Sequence, residues 1–556
     1  MKRFFTVTMC LALIISGAFL FSPSGKYSHA AEAESYIINY DGSYAGGYAF
    51  KFNGSFYIPE GMINTSCFVN KAVSVDQEKH YLMVDSSALD IELADSELSE
   101  YVKKYAGAIG FPMRKFQDIY CFPLEAVAGI FRLDYSFNGS SLELAKAGGE
   151  LKSASVNTDC KAISSLIDKS KNVGYGKEIE LTKGSRVYLL GEYGNLCRIR
   201  TSDGDYAYTR KSNLKELSSE AASMNIYAPK KDKSIHAEDG SLTVAWENTS
   251  REIPGHLSVP EKQNGLEILA PVWMRLRVDG EGFVENFCDA AYVKKAHENG
   301  YKVWATVNNN MTQKGSTKST TAIFNDENAL KRSVAQYIIY AAIYGLDGLN
   351  IDYEDLPDAD AASYVAFIKE LRSLSERQGL VLSVDVAIPS QWSLEYDRKG
   401  LSQYVDFVAV MSYGEHHSAN SGIGPIASRE WVDKVVNDCL AEGVPASKLM
   451  LGIPTYAYVW VTDDADGKII EISAVSMNWV EKTLREKNLS PKYLSDLEQN
   501  YIEYPGQNAG TTCRIWIEDE KTLEMRREIM LKYGLAGAAV WQYSYSADYV
   551  WPAIGK

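Results

Sequence analysis

The sequence predicts an α/β fold: a closed (β/α)8, or TIM, barrel with an α+β insertion, preceded by two small β-rich domains. Three observations carry this prediction. From Ser241 onward, short apolar runs alternate with amphipathic helical stretches, the pattern of a parallel barrel. Upstream, residues 34–217 read as short β-like runs separated by turn signals such as Asp41-Gly42 and Asn138-Gly139. At 556 residues the chain is also too long for one ordinary domain.

The first segment, residues 1–30, opens with Met1-Lys2-Arg3, runs apolar through residues 4–21 and reaches Ser28-His29-Ala30. Small residues at the third and last positions before a cut after Ala30 predict a secretory signal peptide, with an uncleaved anchor as the alternative. No later stretch is long and apolar enough to span a membrane, so no stable span is expected once the leader is removed. In residues 34–148, Phe56-Tyr57-Ile58-Pro59 recurs as Tyr120-Cys121-Phe122-Pro123, each followed by a short helical stretch and a β-like run. Residues 154–217 suggest a small barrel, with strand-and-turn units around Lys183-Gly184, Tyr193-Gly194 and Asp203-Gly204. A polar, lysine-rich linker occupies 218–240.

Residues 241–556 carry eight predicted barrel strands, at 242–246, 266–272, 302–307, 348–353, 381–388, 405–411, 449–454 and 537–541. Helices lie between them. In one, Leu330, Val334, Tyr337, Ile338 and Ala341 share a face before Gly345 ends it. In another, Tyr364, Phe367, Ile368, Leu371 and Leu374 do so. The region exceeds a minimal barrel of about 250 residues, and the surplus falls after the seventh strand, at about 461–512.

Composition narrows the function. The net charge is −15, and −18 once Lys2, Arg3 and Lys26 leave with the leader. So acidic a surface repels nucleic acid. The mature chain keeps seven cysteines, an odd number, and none has the close Cys/His spacing of a zinc site. Cys67 with Cys121 and Cys160 with Cys197 are the pairings that each fall within one predicted domain. No cofactor and no metal site is expected. Aromatic residues make up 12% of the chain, a weak pointer to sugar binding because pyranose faces stack on rings.

The chemistry concentrates in Asp347-Gly348-Leu349-Asn350-Ile351-Asp352-Tyr353-Glu354. Leu349, Ile351 and Tyr353 alternate with Asn350, Asp352 and Glu354, the period of a strand with one polar face. A buried polar face ending in a carboxylate is costly unless it performs chemistry. This run resembles the catalytic strand of glycoside hydrolase family 18, Asp-Gly-x-Asp-x-Asp-x-Glu, in chitinases and the spore-cortex and wall N-acetylglucosaminidases. Seven of its eight positions fit; Asn350 is the exception.

The resemblance implies a secreted or wall-associated bacterial enzyme cleaving after N-acetylglucosamine in peptidoglycan or chitin-like glycans. Glu354 would be the acid/base, and Asp352 would hold the substrate acetamido N–H. Tyr413, in Met411-Ser412-Tyr413, would bind the acetamido oxygen, and Trp541 would floor the subsite. Asp347, Asn350, Met411, Trp273 and Tyr456 complete the expected substrate-binding set, Trp246 being a further strand-end aromatic. Two departures stand out: Gly414 where many members have Asp, and Tyr458 where this branch often has Arg. Glu415-His416-His417 beside them reads as a solvated loop, with replacement polar contacts to the substrate as the alternative. Residues 34–148 resemble a copper amine oxidase N-terminal-like repeat domain, though His80 alone makes no copper site. Residues 154–217 resemble a bacterial SH3-like module, which implies either cell-wall contact or a plain spacer. The alternative to an enzyme is a non-catalytic wall- or glycan-binding barrel.

Overall fold

A computed structural model describes residues 33–40, 43–52, 54–65, 73–89, 93–131, 133–137, 141–146, 150–164, 178–202, 205–221, 242–249 and 257–555. The expected leader, most of the expected linker and Cys67 lie outside the described residues. Two compact units are present, one of residues 29–91 and 111–229, the other containing 92–110 and 230–556.

In the first unit, a seven-stranded sheet places the two repeat copies side by side. Ser55–Pro59 and Ile119–Pro123 pair antiparallel, Ile58 opposite Phe122, and each runs into a single helical turn. A second seven-stranded sheet spans Glu150–Ala221 around Ala154, Val156, Ala162, Val187, Ile199 and Ala207. Cys160 is a free thiol, so the candidate pairing of Cys160 with Cys197 does not form, while the pairing of Cys67 with Cys121 falls on a residue outside those described.

The second unit is the barrel. Its strands are β1 (Leu242–Glu247), β2 (Ile268–Leu276), β3 (Lys302–Asn308), β4 (Gly348–Asp352), β5 (Val381–Val386), β6 (Phe407–Val410), β7 (Leu449–Pro454) and β8 (Gly537–Trp541). Neighbours pair in parallel, and β1 pairs with both β2 and β8, which closes the ring. All eight strands read from the sequence are there, β5 and β6 being shorter than expected. Inward side chains including Leu242, Ile268, Trp304, Phe407 and Met450 fill the interior, Trp304 stacking on Phe407 with ring centroids 5.8 Å apart. Gly348 opens β4 because a Cβ there would stand 2.6 Å from the Trp304 ring.

Two boundaries differ from the sequence reading. Residues 92–110 belong to the barrel unit and not with the rest of 34–148. Their helix, Ser96–Tyr105, is capped by Asp95, which also takes two hydrogen bonds from Arg377, and Tyr101 donates to Glu370 at 2.8 Å. These long-range polar contacts leave no local trace in sequence. The insertion after β7 is wider than 461–512. Its five-stranded antiparallel sheet begins with Tyr456–Asp463 and ends with Thr511–Ile517, with helix Met477–Lys487 against it. No helix among the described residues is long and apolar enough to cross a membrane.

Candidate active site

The alternation in β4 sorts its side chains into two environments. Leu349, Ile351 and Tyr353 are buried on the helix side. There Tyr353 stacks on Tyr364 and shares a 2.6 Å hydroxyl contact with Tyr337. Asn350 faces the barrel interior and is fully engaged. Its amide donates to Ser383 (2.9 Å) and Asp385 (2.8 Å), and its oxygen accepts from Trp246 (2.8 Å) and Thr306 (2.9 Å). With both N–H groups and both lone pairs used, Asn350 has nothing left for a substrate. It is an internal hub beneath the site, a correction to its expected role.

Asp352 and Glu354 follow at the C-terminal end of the strand, where barrel active sites sit. Burial pushes the Asp352 carboxyl up to about 7, and its Oδ1 is buried with no hydrogen-bond partner among the described residues. Glu354 is only 7% exposed. Burial first, then the negative charges of Asp352, Asp355 and Asp385, hold its carboxyl well above the ordinary range. Its backbone is clasped by Asn309, which accepts from the Glu354 N–H at 3.1 Å and donates to its carbonyl at 2.6 Å. Tyr396 donates to the preceding carbonyl of Tyr353 at 2.9 Å. The acid is therefore fixed from both sides.

The other expected residues divide. Tyr413 is half-buried, and the carboxyls of Asp385, Asp352 and Glu354 raise its hydroxyl after burial itself, which puts it among all three. Tyr456 is buried and meets the Tyr413 ring edge-on at 6.3 Å, so it supports Tyr413 and offers no face of its own. Trp541 is half-buried at the end of β8, 6.4 Å from Trp246, with a cis peptide bond to Gln542. Met411, just past β6, is half-buried. Trp273 is buried edge-on against Tyr292 at 5.2 Å, packed in the wall.

Asp347 lies at the opposite end of β4. It is held by Lys302 (3.2 Å), His297 (2.7 Å) and the Val303 N–H (2.8 Å), a structural place and not a cleft position. Gly414 has φ +89°, a conformation that strains any side chain, and its N–H reaches the Ile426 carbonyl. Tyr458 is buried in the insertion sheet between Tyr456 and Trp460. Glu415 binds the N–H and hydroxyl of Ser428, while His416 and His417 pair with carbonyls of their own loop, so this half-exposed segment is knit together from within. Among the described residues no group of three or more His, Cys, Asp or Glu is arranged for a metal ion.

Four site residues escaped the sequence reading: Asp385 on β5, Asn309, Tyr396 and Glu247. Burial raises Glu247, at the end of β1, to about 7, and it accepts from the Ser544 N–H at 2.8 Å. Asp385 had a signal, since Ser383 and Asp385 alternate with Leu382, Val384 and Val386 along β5. The loop after β5 is anchored by buried Arg398, which donates to the carbonyls of Ala387 and Ile388 and to the Ser393 hydroxyl. It presents Trp392 and Leu394 at 67% and 58% exposure.

A closed parallel barrel with a buried, proton-retaining glutamate over a second carboxylate at its C-terminal rim defines a glycoside hydrolase of the barrel class. Residues 230–546 match the family Glycosyl hydrolases family 18, and the chain belongs to it. Among curated relatives, the putative sporulation-specific glycosylase YdhD of Bacillus subtilis is 27% identical over 262 residues, 46% of this chain and 60% of that protein. The cortical fragment-lytic enzyme of Bacillus subtilis is 25% identical over 240 residues, 41% of this chain and 54% of that protein. The chain thus spans between half and two thirds of these two relatives. Among solved structures, the Bacillus cereus spore cortex-lytic enzyme SleL is 20% identical, covering 56% of this chain and 73% of that one at a TM-score of 0.48.

Proposed function

We propose that this chain is a secreted or wall-associated bacterial glycosidase. It would hydrolyse β-1,4 bonds after N-acetylglucosamine in peptidoglycan or chitin-like glycans by substrate-assisted, retaining catalysis. One observation carries the proposal: Glu354 is buried at the C-terminal rim among carboxyls, which raises its own carboxyl well above the ordinary range, the direction a general acid needs. Glu354 protonates the leaving glycosidic oxygen as the C1–O bond breaks. The acetamido oxygen of the same sugar forms a bond to C1, giving an oxazolinium ion. Asp352 accepts a hydrogen bond from the acetamido N–H, and Tyr413 donates to its oxygen. Water then opens the ring at C1, giving its proton back to Glu354.

The half-buried Trp541 supports a sugar floor at this point, and the two N-terminal domains are proposed as wall-contacting modules. Peptidoglycan is favoured over chitin by the cortex-acting relatives and those modules together.

Mass spectrometry of products from purified peptidoglycan and from chitin oligomers, with Glu354→Gln alongside, tests the proposal. Fragments ending in reducing N-acetylglucosamine, absent with the variant, are expected. Binding of either polymer without cleavage would make the barrel a glycan-binding module instead. A thiazoline mimic of the oxazolinium ion should inhibit; continued cleavage in its presence would exclude substrate assistance.

A further inference from the structure

We propose that Asp385 is a positioning residue for hydrolysis, supplying from the neighbouring strand the inner carboxyl that Asn350 does not carry. The inference rests on the glycosidase reading above, and its geometry is that of adjacent parallel strands. β4 and β5 pair with Asn350 opposite Ser383 and Ile351 opposite Val384, and the same register sets Asp352 level with Asp385. Residues two apart on a strand share a face, so Asn350, Asp352, Ser383 and Asp385 all point into the barrel. Asn350 then works as a clamp. Its amide bridges Ser383 and Asp385, while Trp246 and Thr306 hold its oxygen so that the amide cannot turn over.

Asp385 is 2% exposed and has no use in packing that an apolar residue would not serve better. The titratable groups that act on it or feel its charge are Asp352 and Glu354 from β4 and its end, Tyr413 from the segment after β6 and, from the helix side, Tyr364 of helix Ala361–Gln378. Among the described residues no cation contributes to the environment of any of the three carboxyls. Three buried carboxyls without a counter-ion cannot all ionise, so they hold protons in common. Burial and then the Asp352 charge hold the Asp385 carboxyl well above the ordinary range, and the hydrogen bond donated by Asn350 opposes that rise without cancelling it, so Asp385 shares in the retained protons. The unpartnered Oδ1 of Asp352 is the group this arrangement leaves ready for an incoming donor such as the substrate amide. Asp385 thus acts through Asp352 and Glu354 and need not touch the sugar.

The test is the pH profile of kcat on a chromogenic N-acetylchitobioside for the mature full chain, Asp385→Asn, Asn350→Asp and the exchange Asn350→Asp/Asp385→Asn. Removing one of the coupled carboxyls lets Glu354 lose its proton earlier. The alkaline limb of Asp385→Asn is expected about one unit lower, roughly a tenfold loss at a fixed pH on that limb. The exchange reverses the donor and acceptor of one hydrogen bond and should return the limb toward the wild-type position. Asn350→Asp alone adds a carboxyl and should move it higher, which keeps the test open if Asp385→Asn fails to fold. Coincident limbs for wild type and single variants, or a shift that the exchange does not reverse, would overturn the proposal; a purely structural role predicts no such reversal. If wild type turns over no glycan, the function proposed above fails on its own. Thermal unfolding across the same pH range then decides Asp385. The fall in Tm with rising pH should be shallower in Asp385→Asn and steeper in Asn350→Asp, and equal slopes would exclude shared protons.

Discussion

The two ends of β4 treat the same kind of side chain in opposite ways. At the N-terminal end, Asp347 is met by Lys302, His297 and a backbone N–H, so its charge is compensated within about 3 Å. At the C-terminal end, Asp352 and Glu354 are buried with further carboxyls and no cation among the described residues, and both hold protons above the ordinary range. Only four residues, Gly348 to Ile351, separate Asp347 from Asp352. One end uses its carboxylate to fix β3 against β4; the other keeps its carboxyls in a state that costs stability. The difference teaches where to look for function in a barrel: at the end where charge is left uncompensated.

The largest expected effect falls on the uncompensated end. Glu354→Gln keeps the shape and hydrogen-bonding capacity of the acid but cannot release a proton. Its kcat on a glycan substrate should drop by about 10²–10⁴-fold or more, with near-unchanged unfolding temperature. Activity within tenfold of wild type would place the acid elsewhere. Stability should show the same cost through its pH dependence. Asp352 and Glu354 have folded values raised above their unfolded ones, so the folded protein binds these protons more tightly than the unfolded chain does. Stability is then greatest on the acidic side of this transition and falls as pH rises through about 7, the value at Asp352. The double variant Asp352→Asn/Glu354→Gln should flatten that fall. An unchanged slope in unfolding free energy between pH 5 and 9 would mean these carboxyls do not retain protons.

The compensated end should give the reverse pattern. Asp347→Asn removes a charge-assisted contact to Lys302 and weakens those to His297 and Val303. Hydrogen bonds to charged groups contribute about 1.5–3 kcal/mol each, so a loss of about 2 kcal/mol in unfolding free energy is expected. The kcat of the folded fraction should stay at the wild-type value. A fall in kcat without a fall in stability would return Asp347 to the cleft and erase the contrast between the ends.

Much of this contrast was legible in the sequence. The alternation from Leu349 to Glu354 identifies β4 and its polar face, because strand period and buried polarity are both local properties. The same alternation in Ser383 and Asp385 was readable too, but those two residues sit in a run otherwise of Val and Leu, which is what any buried parallel strand shows. What joins Asp385 to the site is register across two strands, a non-local fact. Trp273 and Tyr456 read from sequence as strand-end aromatics like Trp541, yet β2 runs past Trp273 to Leu276, and both are buried while Trp541 is half-exposed. Sequence places an aromatic at a rim but does not say whether its face is covered. Asp347 misled for a related reason: a motif names its members without saying that they span both ends of one strand. The helix Ser96–Tyr105 joins the barrel unit through Arg377 and Glu370, more than 260 residues away, and nothing local marks that.

The smallest expected effect lies beyond the strand, on the rim loop after β5. Arg398 is buried and ties Ala387, Ile388 and Ser393 together, so the loop is held from within while Trp392 and Leu394 face solvent. A rigid loop that exposes a tryptophan at the active-site end of a barrel suits stacking against a sugar outside the cleavage subsite. Trp392→Ala removes that face without touching the core, so its effect on stability should stay within about 0.5 kcal/mol. An aromatic contact of about 0.5–1.5 kcal/mol corresponds to a rise of roughly two- to tenfold in the apparent KM for long glycans. The KM for a short chromogenic substrate should not change, since it does not reach the loop. Equal effects on long and short substrates would move Trp392 into the cleavage site itself; no effect on either would leave it as an exposed residue without a sugar to meet.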